Sequence, residues 1–143
     1  MDDCIFCKII KGEIPSITVY EDDDVKAFLD ISQTTPGHTL LVPKKHVPDI
    51  FAYDEKLAET VFSRVPKLAR AIKNSDPKIK GLNILNNNGK VASQSVFHSH
   101  FHFIPRYSNQ DDFKLVFKNN SAAYSTEKLE KIAAAIKKQL EEE

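Results

Sequence analysis

Three of the five histidines, His98, His100 and His102, alternate with Ser99 and Phe101. Imidazole has an ordinary pKa of about 6.5, so near pH 7 it serves as nucleophile, proton donor or metal ligand. Residues 95–104 are rich in β-branched and aromatic side chains, and the stretch reads as a strand. A strand repeats every two residues, which brings all three imidazoles to one face, about 6.5–7 Å apart. Phe97, Phe101 and Phe103 fall on the other face, where a core can take them. Packing gains little from a row of groups that each need a hydrogen-bond partner, so the spacing points to a functional cluster.

The only cysteines, Cys4 and Cys7, form a Cys-x-x-Cys pair. A thioredoxin-like redox pair follows a strand, and only three residues precede Cys4. The pair reads instead as half of a tetrahedral zinc site, whose other ligands must be histidines elsewhere in the chain.

These groups need a scaffold. Cys7 to Lys11 can form one helical turn, followed by a turn at Gly12-Glu13-Ile14-Pro15. Residues 18–21 and 25–29 read as a hairpin around Asp22-Asp23-Asp24, and residues 38–43 as a third strand closed by Pro43. Asp54 can cap a long helix whose stripe is Leu57, Val61, Val65, Leu68 and Ile72. Pro66 lies inside that helix and predicts a kink or local break. Residues 82–86 form a fourth strand, 87–90 a loop, and the histidine segment a fifth strand. Residues 107–124 read as irregular. Ser125 can cap a last helix with Leu129, Ile132, Ala133, Ile136 and Leu140 on one face. The result is an α+β domain: an antiparallel sheet of about five strands, one long central helix and a C-terminal helix. With no repeat or linker in view, a single domain over residues 1–143 is expected.

Composition narrows the function. The 143 residues carry zero formal net charge, with 41% hydrophobic and 28% charged side chains, as ordinary globular chains do. Nothing draws in a nucleic acid backbone, and no apolar run is long enough to cross a membrane. The acidic Met1-Asp2-Asp3 start is unlike a secretory signal, so the cytoplasm is the expected compartment, where a disulfide is not expected.

The motifs resemble those of the histidine-triad (HIT) family, and of its bacterial Hint-like branch. The resemblance runs through Cys4-Ile5-Phe6-Cys7, Gly12-Glu13-Ile14-Pro15, Ala27-Phe28-Leu29-Asp30-Ile31, Pro36-Gly37-His38-Thr39-Leu40 and Val42-Pro43-Lys44-Lys45-His46. It continues in Asn87-Asn88-Gly89, Gln94-Ser95-Val96-Phe97-His98, the triad itself and Ile104-Pro105-Arg106. The family implies a HIT-like fold and a homodimer formed through the long helix and a central strand. It also implies attack on the α-phosphorus of purine nucleoside monophosphate derivatives. By this resemblance His100 is the nucleophile that forms a covalent nucleotidyl intermediate, and His102 assists the leaving group. Asn87, Gln94, Ser95 and backbone N–H groups of the 89–95 loop, Ser93 included, meet the phosphate. Asp30 accepts the ribose hydroxyls, as acidic residues do in dinucleotide folds, and Phe6, Ile9, Phe28, Ile31 and His38 line the purine slot. Structural zinc falls to Cys4, Cys7, His46 and His98. The resemblance implies a nucleoside phosphoramidase first. A dinucleoside polyphosphate hydrolase, a non-enzymatic nucleotide-binding adaptor and a plain metal-binding module are the alternatives. Turnover is expected to rise with pH through a group titrating near neutrality.

Two positions depart from the family pattern. Ser93 stands where glycine is usual, and glycine tolerates unusual backbone angles. Ser99 replaces an apolar residue, with an effect expected on packing alone.

Overall fold

The computed structural model describes residues 3–143. The chain falls into two compact units, Met1–Phe113 and Lys114–Glu143. In the first, α1 (Ile5–Ile10) precedes β1 (Thr18–Glu21), β2 (Val25–Leu29) and β3 (Thr39–Pro43). These are followed by α2 (Glu55–Asn74), β4 (Gly81–Asn86) and β5 (Phe101–Arg106). The second unit holds α3 (Thr126–Glu141), capped by the Ser125 hydroxyl accepting from the Lys128 N–H. Its apolar stripe, Leu129, Ile132, Ile136 and Leu140, is exposed.

The strands form one antiparallel sheet in the order β1-β2-β3-β5-β4. Period-two alternation sorts its two faces. Val25, Ala27, Leu41, Phe101 and Phe103 face α2 and form a core with Val61, Leu68, Ile72 and Ile79. Phe28, Leu40 and Val42 face the other way, onto Phe6 and Ile9 of α1. Leu40 pairs with His102 across β3 and β5, so the histidine face is the α1 face.

Three local expectations change. First, α1 begins at Ile5, because the Cys4 sulfur accepts from the Cys7 N–H and acts as the helix N-cap. Second, α2 runs unbroken through Pro66, with Asp54 capping it. Pro66 and Phe62, whose carbonyl loses its helical partner to the proline, are both exposed residues. Third, the histidine strand starts at Phe101 rather than near Ser95. The backbone ahead of it is satisfied outside the ladder: the Ser99 N–H donates to the Val47 carbonyl and the Asn86 amide donates to the His100 carbonyl. Phe97, lying before the strand, is 49% exposed and is not a core residue. Ser99 is fully buried, and its hydroxyl hydrogen-bonds with Tyr53 OH at 3.0 Å, a contact beyond the packing expected of it.

Candidate active site

The N-terminal arm and the start of the histidine segment meet at one corner. The ligand atoms of Cys4, Cys7, His46 and His98 lie within 4.8 Å of one another. His98 Nδ1 is 3.3 Å from the Cys4 sulfur, 3.6 Å from the Cys7 sulfur and 3.1 Å from His46 Nδ1. The Cys7 sulfur is 3.4 Å from His46 Nδ1. A tetrahedral zinc, with Zn–S about 2.3 Å and Zn–N about 2.0–2.1 Å, sets S···N near about 3.5 Å and N···N near about 3.3 Å. The donor set therefore fits such an ion. The outer contact fits as well. His98 Nε2–H donates to the Pro43 carbonyl at 2.8 Å, which leaves Nδ1 as the free ligand atom. Burial and the neighbouring Cys4 sulfur raise the Cys7 thiol, a cost that a bound cation would offset.

His100 and His102 follow on the same face, ring centroids 5.1 Å apart. Phe6 meets the His100 ring edge-on at 5.0 Å. His100 Nδ1–H donates to the His98 carbonyl at 2.8 Å, so Nε2 carries the lone pair. His102 has a different partner. The Thr34 N–H donates to His38 Nδ1 at 3.4 Å, which makes Nε2 the protonated nitrogen of His38. His38 Nε2–H then donates to His102 Nδ1 at 2.9 Å, leaving the His102 proton on Nε2. Burial lowers all three imidazoles, His102 to about 4 with the neighbouring His100 and His38 adding to the effect. They are neutral at pH 7. Asp30, His38 and His102 also lie within 4.8 Å of one another, but His38 Nε2 is committed to the hydrogen bond with His102.

These histidines open onto a cavity of about 310 Å³. Its lining brings together Phe6, Ile9, Phe28, Asp30, Ile31, Ser95, His100 and His102. Ile31 is almost wholly exposed. The Asp30 carboxylate accepts from the Ser32 N–H at 2.8 Å and hydroxyl at 2.6 Å through one oxygen. The other oxygen lies 3.7 Å from His38 Nε2. Burial works to raise Asp30, but the two Ser32 hydrogen bonds prevail and hold it below its ordinary value. His38 stands behind Asp30 and His102 rather than in the lining.

Of residues 86–95, Ser95 lines the cavity, while Asn87, Ser93 and Gln94 are not among the lining residues. The Asn88 amide donates to Asn86 Oδ1 at 2.7 Å, and Asn86 in turn donates to the His100 carbonyl at 2.9 Å. Gln94 is buried, and its amide is fully committed. Oε1 accepts from the Gly89 N–H, while Nε2 donates to the Pro48 and Val96 carbonyls. It ties Gly89, Pro48 and Val96 together and has no free side-chain donor to offer. Asn87 Nδ2 donates to the Ser93 carbonyl at 3.4 Å.

A HIT domain matches residues 11–109. The chain belongs to the HIT family. A HIT family protein of Bacillus subtilis has a crystal structure similar to this one, with a TM-score of 0.92 and 52% identity over 95% of this chain and 96% of that one. The expected HIT-like fold is the fold observed. An adenosine 5'-monophosphoramidase of Candida albicans is 42% identical over 106 residues, 72% of this chain and 70% of that protein. A Zn-bound histidine triad family protein of Mycobacterium smegmatis has a TM-score of 0.71 and 39% identity, covering 83% of this chain and 84% of that one. Within the HIT framework, the Ser93 departure has a backbone consequence. Ser93 sits at φ 71°, ψ 22°, a left-handed conformation that costs a non-glycine residue about 1–2 kcal/mol. Sequence reasoning missed Asn86, Asn88, Ser32, Thr34 and Gln33. The Asp-x-Ser step at Asp30 was the one readable signal among them, since a carboxylate often accepts from the backbone two residues on.

Proposed function

We propose that the protein is a purine nucleotide hydrolase that cleaves AMP or GMP derivatives at the α-phosphate through a nucleotidyl-His100 intermediate. Nucleoside 5′-phosphoramidates are its best substrates. The observation that carries this reading is the tautomer of His100. The His98 carbonyl holds Nδ1–H, so Nε2, on a residue lining the cavity, is the nucleophilic nitrogen. The Candida relative's named activity points the same way.

In this reading the purine sits among Phe6, Ile9, Phe28 and Ile31, and Asp30 takes the ribose hydroxyls. The substrate's bridging nitrogen takes a proton from solvent, His100 Nε2 attacks phosphorus, and the P–N bond breaks to release the neutral amine, the proton being returned when water cleaves the intermediate. His102 Nε2–H donates a hydrogen bond to that amine as it departs. Ser95, Asn87 and the 89–95 backbone, Ser93 included, meet the phosphate oxygens, and Gln94 acts by holding that loop in shape. Water then cleaves the His100–P bond. Over the cycle one water supplies the amine proton and the AMP hydroxyl.

The test is turnover of an adenosine 5′-phosphoramidate, a lysyl-AMP and a dinucleoside tetraphosphate from pH 4 to 9. The phosphoramidate is expected to be the preferred substrate. A preference for the tetraphosphate overturns the phosphoramidase reading. The sign of the pH effect follows from burial, which lowers His100 below its ordinary 6.5. Its neutral, attacking form therefore persists further into acid. The rise of kcat/KM, which reports the free enzyme, is expected to have its midpoint below 6.5 and to level off by neutrality. This moves the rise to the acid side of the near-neutral titration read from the sequence. A midpoint above 6.5 contradicts it.

The metal of the Cys4, Cys7, His46 and His98 corner is, in this proposal, zinc in a structural role, since four protein ligands leave no open coordination position. The Zn-bound relative supports that choice. The protein acts as a homodimer. Support comes from the unpaired edge of β4 and from the exposed Phe62 and Ile84, features a second copy would cover. Light scattering is expected to give the mass of two chains, and a monomer at working concentration refutes this. Two unbridged cysteines suit a reducing cytoplasm. No helix of the described residues is long and apolar enough to cross a membrane.

A further inference from the structure

Asp30 and His38 stand at the two ends of the loop joining β2 to β3. Asp30 reaches the cavity, while His38 holds His102. The geometry points to Gln33 as the residue that positions both, and thereby sets the preference of the site for a ribose bearing its hydroxyls. This inference rests on the reading of the cavity as a nucleotide site with Asp30 at the ribose.

The side-chain amide of Gln33 fills the inside of the loop. Its Nε2 donates to the Asp30 carbonyl at 2.6 Å and to the His38 carbonyl at 2.8 Å. Its Oε1 accepts from the Gly37 N–H at 2.8 Å. One planar group thus ties together the backbones of Asp30, which reaches the cavity, and His38, which holds His102 from behind. The backbone adds to the tie: the Asp30 N–H donates to the His38 carbonyl at 3.0 Å and the Gln33 N–H to the Asp30 carbonyl at 3.1 Å. Gln33 itself sits at φ 41°, a left-handed conformation that residues other than glycine hold only where surrounding contacts over-determine it.

The far side of the loop is anchored separately. Thr35 Oγ1 donates to the Pro105 carbonyl at 2.6 Å, and Tyr107 OH donates to the Pro36 carbonyl. Removing the Gln33 amide therefore loosens the Asp30–His38 end while β5 still holds the loop. Small displacements of a positioned group matter, since a shift of about 1 Å can cost on the order of 100-fold.

The experiment compares calorimetric binding of AMP and its 2′,3′-dideoxy analogue to the wild type, Gln33→Gly and Asp30→Ala. Glycine accepts the left-handed backbone and removes the whole side chain, amide included. The wild type is expected to favour AMP, and both variants to reduce that preference by about tenfold or more, as losing hydrogen bonds to a charged group does. If Asp30→Ala leaves the preference unchanged, the ribose reading itself fails and this inference falls with it. If Asp30→Ala removes the preference and Gln33→Gly keeps it, the positioning role alone is overturned. That role is overturned as well if Gln33→Gly weakens both ligands equally, which marks a merely structural residue. Should Gln33→Gly not fold, Gln33→Asn tolerates the same backbone with too short a side chain, and the same outcomes apply to it.

Discussion

Replacing His100 with alanine is expected to lower turnover of an adenosine 5′-phosphoramidate by about 10⁴-fold or more, while folding and AMP binding stay largely intact. Removing a covalent nucleophile has effects on that order in other hydrolases. The reasons are local. His100 is buried and neutral, and its Nδ1–H is fixed on the His98 carbonyl. No other imidazole of the cluster presents a free Nε2 lone pair at the cavity, because His102 carries its proton there and His98 gives Nε2–H to Pro43. Binding survives because the floor of the cavity is made by Phe6, Ile9 and Phe28 together with Asp30. In the wild type, mass spectrometry of a quenched reaction is expected to find one AMP unit on His100. Attachment at His98 or His102, or substantial hydrolysis by the alanine variant, overturns the assignment.

The second large effect is on stability. Protein purified without chelator is expected to contain one zinc per chain, and the Cys4→Ala, Cys7→Ala double variant to contain none. Its unfolding free energy is expected to fall by several kcal/mol, because metal binding is coupled to folding. The four ligands would come from α1 and its N-cap, the segment after β3 and the position two residues before His100, so the ion would join parts of the chain far apart in sequence. The core between the sheet and α2 does not depend on it, so these are expected to stay folded while α1, which brings Phe6 and Ile9 to the second core, loosens. Since Phe6 and Ile9 of α1 line the cavity, nucleotide binding weakens as well. At saturating substrate the chemical step is expected to continue. Its complete loss in a folded variant that retains His100 would make the metal catalytic. Unchanged melting and freely reactive thiols in the untreated wild type would remove the metal site altogether.

The sequence by itself determined the elements and the chemical inventory. Strands β1 and β2 are local: the Asp22 carboxylate accepts from the Asp24 and Val25 N–H groups and closes their hairpin, as the acidic turn implied. The caps Asp54 and Ser125 are equally local, each accepting from a backbone N–H three residues on. Alternation placed Phe101 and Phe103 in the core opposite His102, because side chains in a strand must change face at every residue.

The tertiary structure alone decided the rest. The histidine strand starts at Phe101 because the backbone of Ser99 and His100 just ahead of it is satisfied by Val47 and Asn86, contacts between distant parts of the chain that no local pattern encodes. The protonation of two of the imidazoles is likewise non-local: Pro43 for His98, and Thr34 acting through His38 for His102, choose which nitrogen keeps the hydrogen, while His100 takes its partner from the His98 carbonyl two residues away. Spacing can supply three imidazoles on one face. Only their carbonyl and imidazole partners leave Nδ1 free on His98, Nε2 free on His100 and a proton on Nε2 of His102, because a neutral imidazole is set by what its other nitrogen meets.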